Sequence, residues 1–310
     1  MVGRNIGFQM KKIFNSITGL TILTLLFFTA CGSTAKSDDN ALRVLASTTF
    51  LADITQNIAG PRAQVDSVLP VGADPHAYQA APADVAKIAE SDLLVLNGLE
   101  YEHFIEPLLE NAGGERLIIE ATAGVSPRED AGNEHGIDPH MWLDPILVID
   151  YVENIRDGLI QVDAQGAQTY TANADAYITQ LKELDAWIIE QVNSIPTERR
   201  LLVTNHEAVG YFAERYGFEV VGAIIPSLST DAGTSARELA ALIEQIKTAD
   251  APAIFLGEVE NPDLAHQIAE ETNVKVVDNL HLESLTVGSP AATYLDMMKH
   301  NVNQIVEALK

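Results

Sequence analysis

The sequence predicts an α/β protein: two similar lobes, each a parallel four-stranded sheet flanked by helices, joined by one long rigid helix. Three observations predict it. Short apolar runs alternate with amphipathic stretches four times after residue 42 and four times again after residue 200, the β-α rhythm of parallel sheets. Between the halves, apolar residues recur at three- and four-residue spacing over some thirty residues, a helical period. Beyond its leader the chain keeps about 270 residues, enough for two cores.

The first 31 residues have the layout of an export signal. Lys11 and Lys12 precede an apolar run, Leu20 to Ala30, that ends at Cys31. A bilayer span needs about 20 apolar residues, so this run is too short. Phe28-Thr29-Ala30-Cys31 resembles a bacterial lipobox, which makes Cys31 the lipidation site; Phe28 stands where leucine is usual. Met10, just before the lysine pair, offers an alternative start to Met1. Residues 32–41 are small and polar and read as a flexible tether.

In the N-terminal lobe, residues 42–162, strands fit Arg43–Ala46, Gln64–Leu69, Leu93–Leu96 and Arg116–Ile119, with helices near 50–59, 82–90, 101–112 and 147–161. The linking helix, residues 163–195, has Asp163 to cap it and Pro196 to stop it. Its apolar stripe is Tyr170, Ala174, Tyr177, Ile178, Leu181, Leu184, Ile188 and Val192. At 1.5 Å per residue it runs roughly 45 Å, long enough to hold both lobes in a nearly fixed relation. In the C-terminal lobe, residues 196–310, strands fit Leu201–Thr204, Glu219–Ala223, Ala253–Leu256 and Lys275–Val277. Helices fit 207–216, 234–248, 262–272 and 290–309, the last with Ser289 as N-cap and Pro290 in its first turn.

The formal net charge is −25, and residues 1–31 carry Arg4, Lys11 and Lys12 with no acid, so the remainder is more acidic still. Such a surface repels nucleic acid and favours cations. Cys31 is the single cysteine, so disulfides and thiolate ligands are excluded from the folded part, and any metal site must use His, Asp, Glu and water.

The chemistry gathers in Asp74-Pro75-His76 and, 64 residues on, Asp138-Pro139-His140. Proline fixes its own φ and pushes the preceding residue out of the helical region, so each triplet is a rigid corner aiming one imidazole. His206, after the first strand of the second lobe, is a third candidate. In parallel sheets ligands bind beyond the carboxyl ends of strands. Asp278, after the predicted last strand, is the fourth, only slightly ahead of Glu283, His281 and Glu258. Three imidazoles and one carboxylate suit tetrahedral Zn²⁺ better than Mn²⁺, which prefers more oxygen ligands. Singly, each residue has a plainer role: His140 packed on Trp142, His76 opening a helix, Asp278 capping a turn. His103, His266 and His300 read as structural or surface residues. His135 and Glu134, in the polar segment before Ile137, are possible accessory metal ligands, though a solvated loop explains them as well.

These stretches, together with Val203-Thr204-Asn205-His206-Glu207-Ala208-Val209-Gly210-Tyr211-Phe212 and Tyr294-Leu295-Asp296-Met297-Met298-Lys299-His300-Asn301, resemble the metal-binding solute-binding proteins of bacterial ABC importers, the cluster A-I or ZnuA/TroA type. The resemblance covers residues 42–310. It implies metal ligation by His76, His140, His206 and Asp278. It also implies a histidine-for-zinc preference at the third position, where manganese-type members tend to have glutamate. The implied protein is a monomeric, lipid-anchored zinc receptor, with manganese as the alternative. It would sit on the outer face of the cytoplasmic membrane (periplasmic in a Gram-negative host) and deliver Zn²⁺ to an ABC permease and its ATPase. Two other classes compete. A zinc hydrolase would need an open metal position, and His206-Glu207 does not begin a His-Glu-x-x-His helix because residue 210 is glycine. An adhesin would use the outer surfaces and need no metal.

Overall fold

Two parallel sheets carry the fold. In the first, β1 (Leu42–Ala46), β2 (Ala63–Ser67), β3 (Leu93–Leu96) and β4 (Leu117–Glu120) lie in the order β2-β1-β3-β4. In the second, β5 (Leu201–Thr204), β6 (Glu219–Ala223), β7 (Ala253–Gly257) and β8 (Lys275–Leu280) repeat that order as β6-β5-β7-β8. Both sheets reverse winding direction beside their first strand, and ligands bind at the carboxyl ends of strands at such a switch point. This computed structural model describes residues 42–128 and 136–310, and these form one compact unit. Cys31, the leader and the whole tether lie outside the described residues, as do Glu134 and His135. Among the described residues no helix is long and apolar enough to cross a membrane.

The inner strands are near-continuous apolar runs because helices cover both faces of a parallel sheet. Leu93, Leu94 and Val95 are fully buried, and so are Ala253, Ile254 and Leu256. The helices of the first half are α1 (Thr49–Ala59), α2 (Pro82–Glu90), α3 (Glu106–Ala112) and α4 (Val148–Val162). The long helix is α5 (Ala167–Val192), and α6 (Gly210–Tyr216), α7 (Ala236–Ala249), α8 (Asp263–Thr272) and α9 (Tyr294–Leu309) complete the second half.

Helix α5 has 26 residues, roughly 39 Å at the α-helical rise. Its buried stripe includes Tyr170, Ala174, Tyr177, Leu181, Leu184, Ile188 and Val192, the periodicity read from the sequence. These residues join one core that takes Phe50 and Trp142 from the first half and Tyr294 and Met297 from the second. A helix buried along its length in a core shared by both sheets is a stiff connector.

Several ends differ from the sequence reading. Asp163 does not cap α5; its carboxylate takes the Arg62 guanidinium at 2.7 and 2.8 Å and the Tyr170 hydroxyl at 2.7 Å, and a 3₁₀ turn at Ala164–Gly166 leads into the helix. Helix α9 begins at Tyr294 rather than Pro290, because extended Thr293 accepts the Asp296 N–H at 3.1 Å and is the true N-cap. The helix expected over 101–112 shortens to α3 because Gly98, Leu99 and Glu100 have φ of 92°, 57° and 61° and turn the chain beside the site. The helix expected over 207–216 starts only at Gly210, leaving a bend that aims His206.

Candidate metal centre

Both Asp-Pro-His corners have the same local geometry. The Asp74 carboxylate accepts the His76 backbone N–H at 2.9 Å, and that of Asp138 accepts the His140 backbone N–H at 3.0 Å. An aspartate closing onto the amide two residues on is a self-contained turn that holds the corner without a sheet or helix. His140 is fully buried against Trp142, with ring centroids 5.1 Å apart, so its packing role and its place in the site coexist. Beyond β5, the Thr204 hydroxyl donates to the His206 carbonyl at 2.7 Å and the Ala208 N–H returns to it at 2.9 Å.

The three imidazoles meet one carboxylate, that of Glu283. The Nε2 atoms of His76, His140 and His206 lie 3.0, 3.7 and 3.5 Å from Glu283 Oε1. Each of the four residues offers a ligand atom, all within 4.8 Å of one another. An ion bound tetrahedrally at about 2.0–2.2 Å sets its donors roughly 3.3–3.6 Å apart, which these separations bracket.

Asp278 is not part of this cluster. Strand β8 runs on to Leu280, so Asp278 lies within the strand rather than beyond it, and side chains alternate faces along a strand. Val277 is buried and Asp278 exposed. The carboxylate brought to the centre is Glu283, three residues past the strand. The other two competitors support its loop. Glu258 accepts the Leu282 and Ser284 N–H groups at 2.9 and 2.7 Å. His281 is held by Asn301 through its N–H at 2.7 Å and its carbonyl at 2.6 Å. From the first half, Trp142 Nε1 donates to the Leu282 carbonyl at 2.7 Å, and the Thr49 hydroxyl accepts the Leu285 N–H at 2.9 Å. His103 and His266 are exposed, and His300 pairs with the Asn279 carbonyl at 2.8 Å.

The far nitrogens of two ligands are also fixed. His140 Nδ1 meets Asp138 at 2.9 Å and His206 Nδ1 meets Glu260 at 2.7 Å. Carboxylates on Nδ1 orient the ring and present Nε2 as the donor, the usual arrangement behind a metal-bound histidine. The sequence offered a cue for Asp138, which sits in its own motif, but none for Glu260, 54 residues from His206.

Burial opposes the charge on His206, but the carboxylates of Glu260, bonded to it, and of Glu283, close by, outweigh this and push it up to about 10. His140 is likewise raised, with burial opposing and Asp138 and Glu283 prevailing. Burial works against the Glu283 anion, yet the imidazoles of His140, His206 and His76 gathered around it hold it well below the usual carboxylate range. The metal-free centre is thus a buried anion ringed by protonatable imidazoles. Nε2 of His140, Nε2 of His206 and Oε2 of Glu283 are buried with no hydrogen-bond partner. Unpartnered buried nitrogens and oxygens converging on one point offer the lone pairs that a cation would take up.

The two-sheet fold and a buried four-donor cluster define a metal-binding α/β protein. The chain belongs to the ZnuA family, zinc-uptake complex component A, periplasmic, which matches residues 44–308. It is a metal-binding substrate-binding receptor of the ABC-transporter type. It is 35% identical over 305 residues, 97% of this chain and 99% of the relative, to the manganese-binding lipoprotein MntA of Halalkalibacterium halodurans. The manganese-bound periplasmic metal-binding protein from Candidatus Liberibacter asiaticus superposes with a TM-score of 0.78 at 29% identity, covering 87% of this chain and 100% of that one. The periplasmic zinc-binding protein TroA from Treponema pallidum gives 0.80 at 30% identity, over 86% of this chain and 99% of that one.

Proposed function

We propose that this protein is an extracytoplasmic receptor that binds Zn²⁺ through His76, His140, His206 and Glu283 and delivers it to an ABC permease driven by its ATPase. Lobes over residues 42–162 and 196–310, joined through residues 163–195, which carry α5, form the cleft. A lipid on Cys31 anchors the monomer to the outer face of the cytoplasmic membrane. The observation that carries this reading is the convergence of three imidazole nitrogens on one buried carboxylate, two of them backed by Asp138 and Glu260. A nitrogen-rich, four-donor, thiolate-free set matches tetrahedral zinc, and four protein donors leave no open position for catalysis.

A manganese reading is supported by a different atom. Glu283 Oε2 is buried and unpaired, so the carboxylate could present both oxygens and raise the coordination to five, which suits a harder ion. The relative MntA, named for manganese, points the same way. Titrating metal-stripped residues 32–310 with Zn²⁺ and Mn²⁺ while following thermal unfolding separates the two. A saturable shift at one equivalent with zinc and a smaller one with manganese supports zinc. A larger manganese shift replaces the cargo and keeps the receptor. No shift with either ion overturns the reading.

A further inference from the structure

We propose that metal enters and leaves at the His76 face of the centre, and that Asp74 and Thr230 form a latch across the cleft that sets how fast it leaves. The inference rests on the cluster being the cargo site.

The four donors are not equally enclosed. His140, His206 and Glu283 have side chains 0–1% exposed, whereas the His76 side chain is 7% exposed and lines a cavity of about 410 Å³. The cavity walls come from both halves of the protein: Pro75, Tyr78 and Tyr101 on one side, Ser227, Ser229 and Asp231 on the other. His140 and His206 are each locked from behind by a carboxylate on Nδ1. The His76 side chain instead bonds forward, through Nε2 to Glu283. Its position depends on the Asp74 turn, through the backbone N–H. The donor nearest solvent is therefore also the one with least side-chain support.

Asp74 does two things with one carboxylate. Oδ1 accepts the His76 N–H at 2.9 Å, while Oδ2 accepts the Thr230 hydroxyl at 2.7 Å from the loop between β6 and α7. Thr230 lies between two residues of the opposite cavity wall, Ser229 and Asp231. The bond thus ties the corner that carries the mobile donor to the facing half, at the rim of the opening. Other bonds between the halves, at Trp142, Thr49, Tyr294, Gly72, Tyr211 and Arg128, involve residues that do not line this cavity. Opening the cleft on the cavity side requires breaking the Asp74–Thr230 bond, and breaking it loosens the turn behind His76. Asp74 and Thr230 are positioning residues: they act on the cargo through His76 and through closure.

The test is the rate at which Zn²⁺ is released from the full protein to excess chelator, followed by stopped flow. Thr230→Val removes the donor and keeps the shape. Release should accelerate on the order of tenfold, the loss of one hydrogen bond to a charged acceptor. Thr230→Ser, which keeps the hydroxyl, should return release to within about twofold of the parent. Circular dichroism and one-equivalent zinc stoichiometry of Thr230→Val should match the parent, which shows that the variant is folded with its site intact. Unchanged release in Thr230→Val, or equal acceleration in Thr230→Ser, overturns the latch. If the parent protein binds no metal at all, the cargo reading fails instead, so the two failures are distinguishable.

Discussion

Replacing Glu283 by glutamine tests the assignment of the fourth donor most directly. The substitution keeps volume and shape but removes the one negative charge in contact with three imidazoles, at 3.0–3.7 Å, from a carboxylate that is itself buried. Breaking a buried charge pair by neutralising one partner costs about 3–5 kcal/mol. At 1.4 kcal/mol per decade, this weakens metal binding by roughly two to three and a half orders of magnitude. The matched control is Asp278→Asn, on the exposed face of β8, which should leave affinity within about twofold. Competition calorimetry against a chelator of known zinc affinity gives both constants, and thermal unfolding gives an independent check. Ligand at about 1,000 times its dissociation constant adds about 4 kcal/mol to the parent, and at the same concentration this gain should fall to about 1.4 kcal/mol or less in Glu283→Gln. Parent-like affinity in Glu283→Gln, or an equal loss in Asp278→Asn, would refute the geometry on which the site rests.

Other outcomes follow from the same structure. His206 in the metal-free protein is pushed up to about 10 and His140 is also raised, so cargo must displace protons; affinity should fall about tenfold per pH unit per displaced proton on acidification from pH 8 to 5, and a flat calorimetric profile would contradict this. The metal-free protein should respond with the opposite sign: the paired His206 stabilises it fully below its ordinary value near 6.5, and that contribution is lost as pH rises through about 10, visible in urea midpoints. Asp138→Asn and Glu260→Gln should each weaken binding about 10–100-fold by releasing the Nδ1 of His140 and His206, and calorimetry showing parent affinity in both would remove the supporting carboxylates from the mechanism. Trp142→Phe leaves the Leu282 carbonyl without its donor in the core, so it should cost about 2 kcal/mol in urea unfolding and also weaken metal binding through the adjacent Glu283.

Much of the architecture was legible because its signals are local. The strand starts, the apolar stripe of α5 and the repeated β-α rhythm depend on side-chain periodicity, which the backbone imposes within a few residues. The Asp-Pro-His corners were legible for the same reason: proline geometry and the aspartate turn are settled inside three residues, and the structure reproduces them at 2.9 and 3.0 Å. His206 was found because it follows a strand end. Element ends were less accurate where a residue had a better partner elsewhere, as when Asp163 turned from the helix end to Arg62 and Tyr170.

The sequence by itself determined two parallel lobes, a rigid connector, a thiol-free donor set and three of the four residues that converge. The tertiary structure decided the fourth. Asp278 and Glu283 are near neighbours in the chain, and the choice between them turned on where β8 ends and which face each side chain takes. That end is set by pairing with β7, whose register shifts between Phe255 and Gly257, and by Glu258, Asn301, Trp142 and Thr49 gripping the loop beyond it. All of those partners are distant from Glu283 in the chain. Contacts made across such distances leave no periodicity, spacing or turn signature at the residue they position, so only the folded protein could show which carboxylate faces the three histidines.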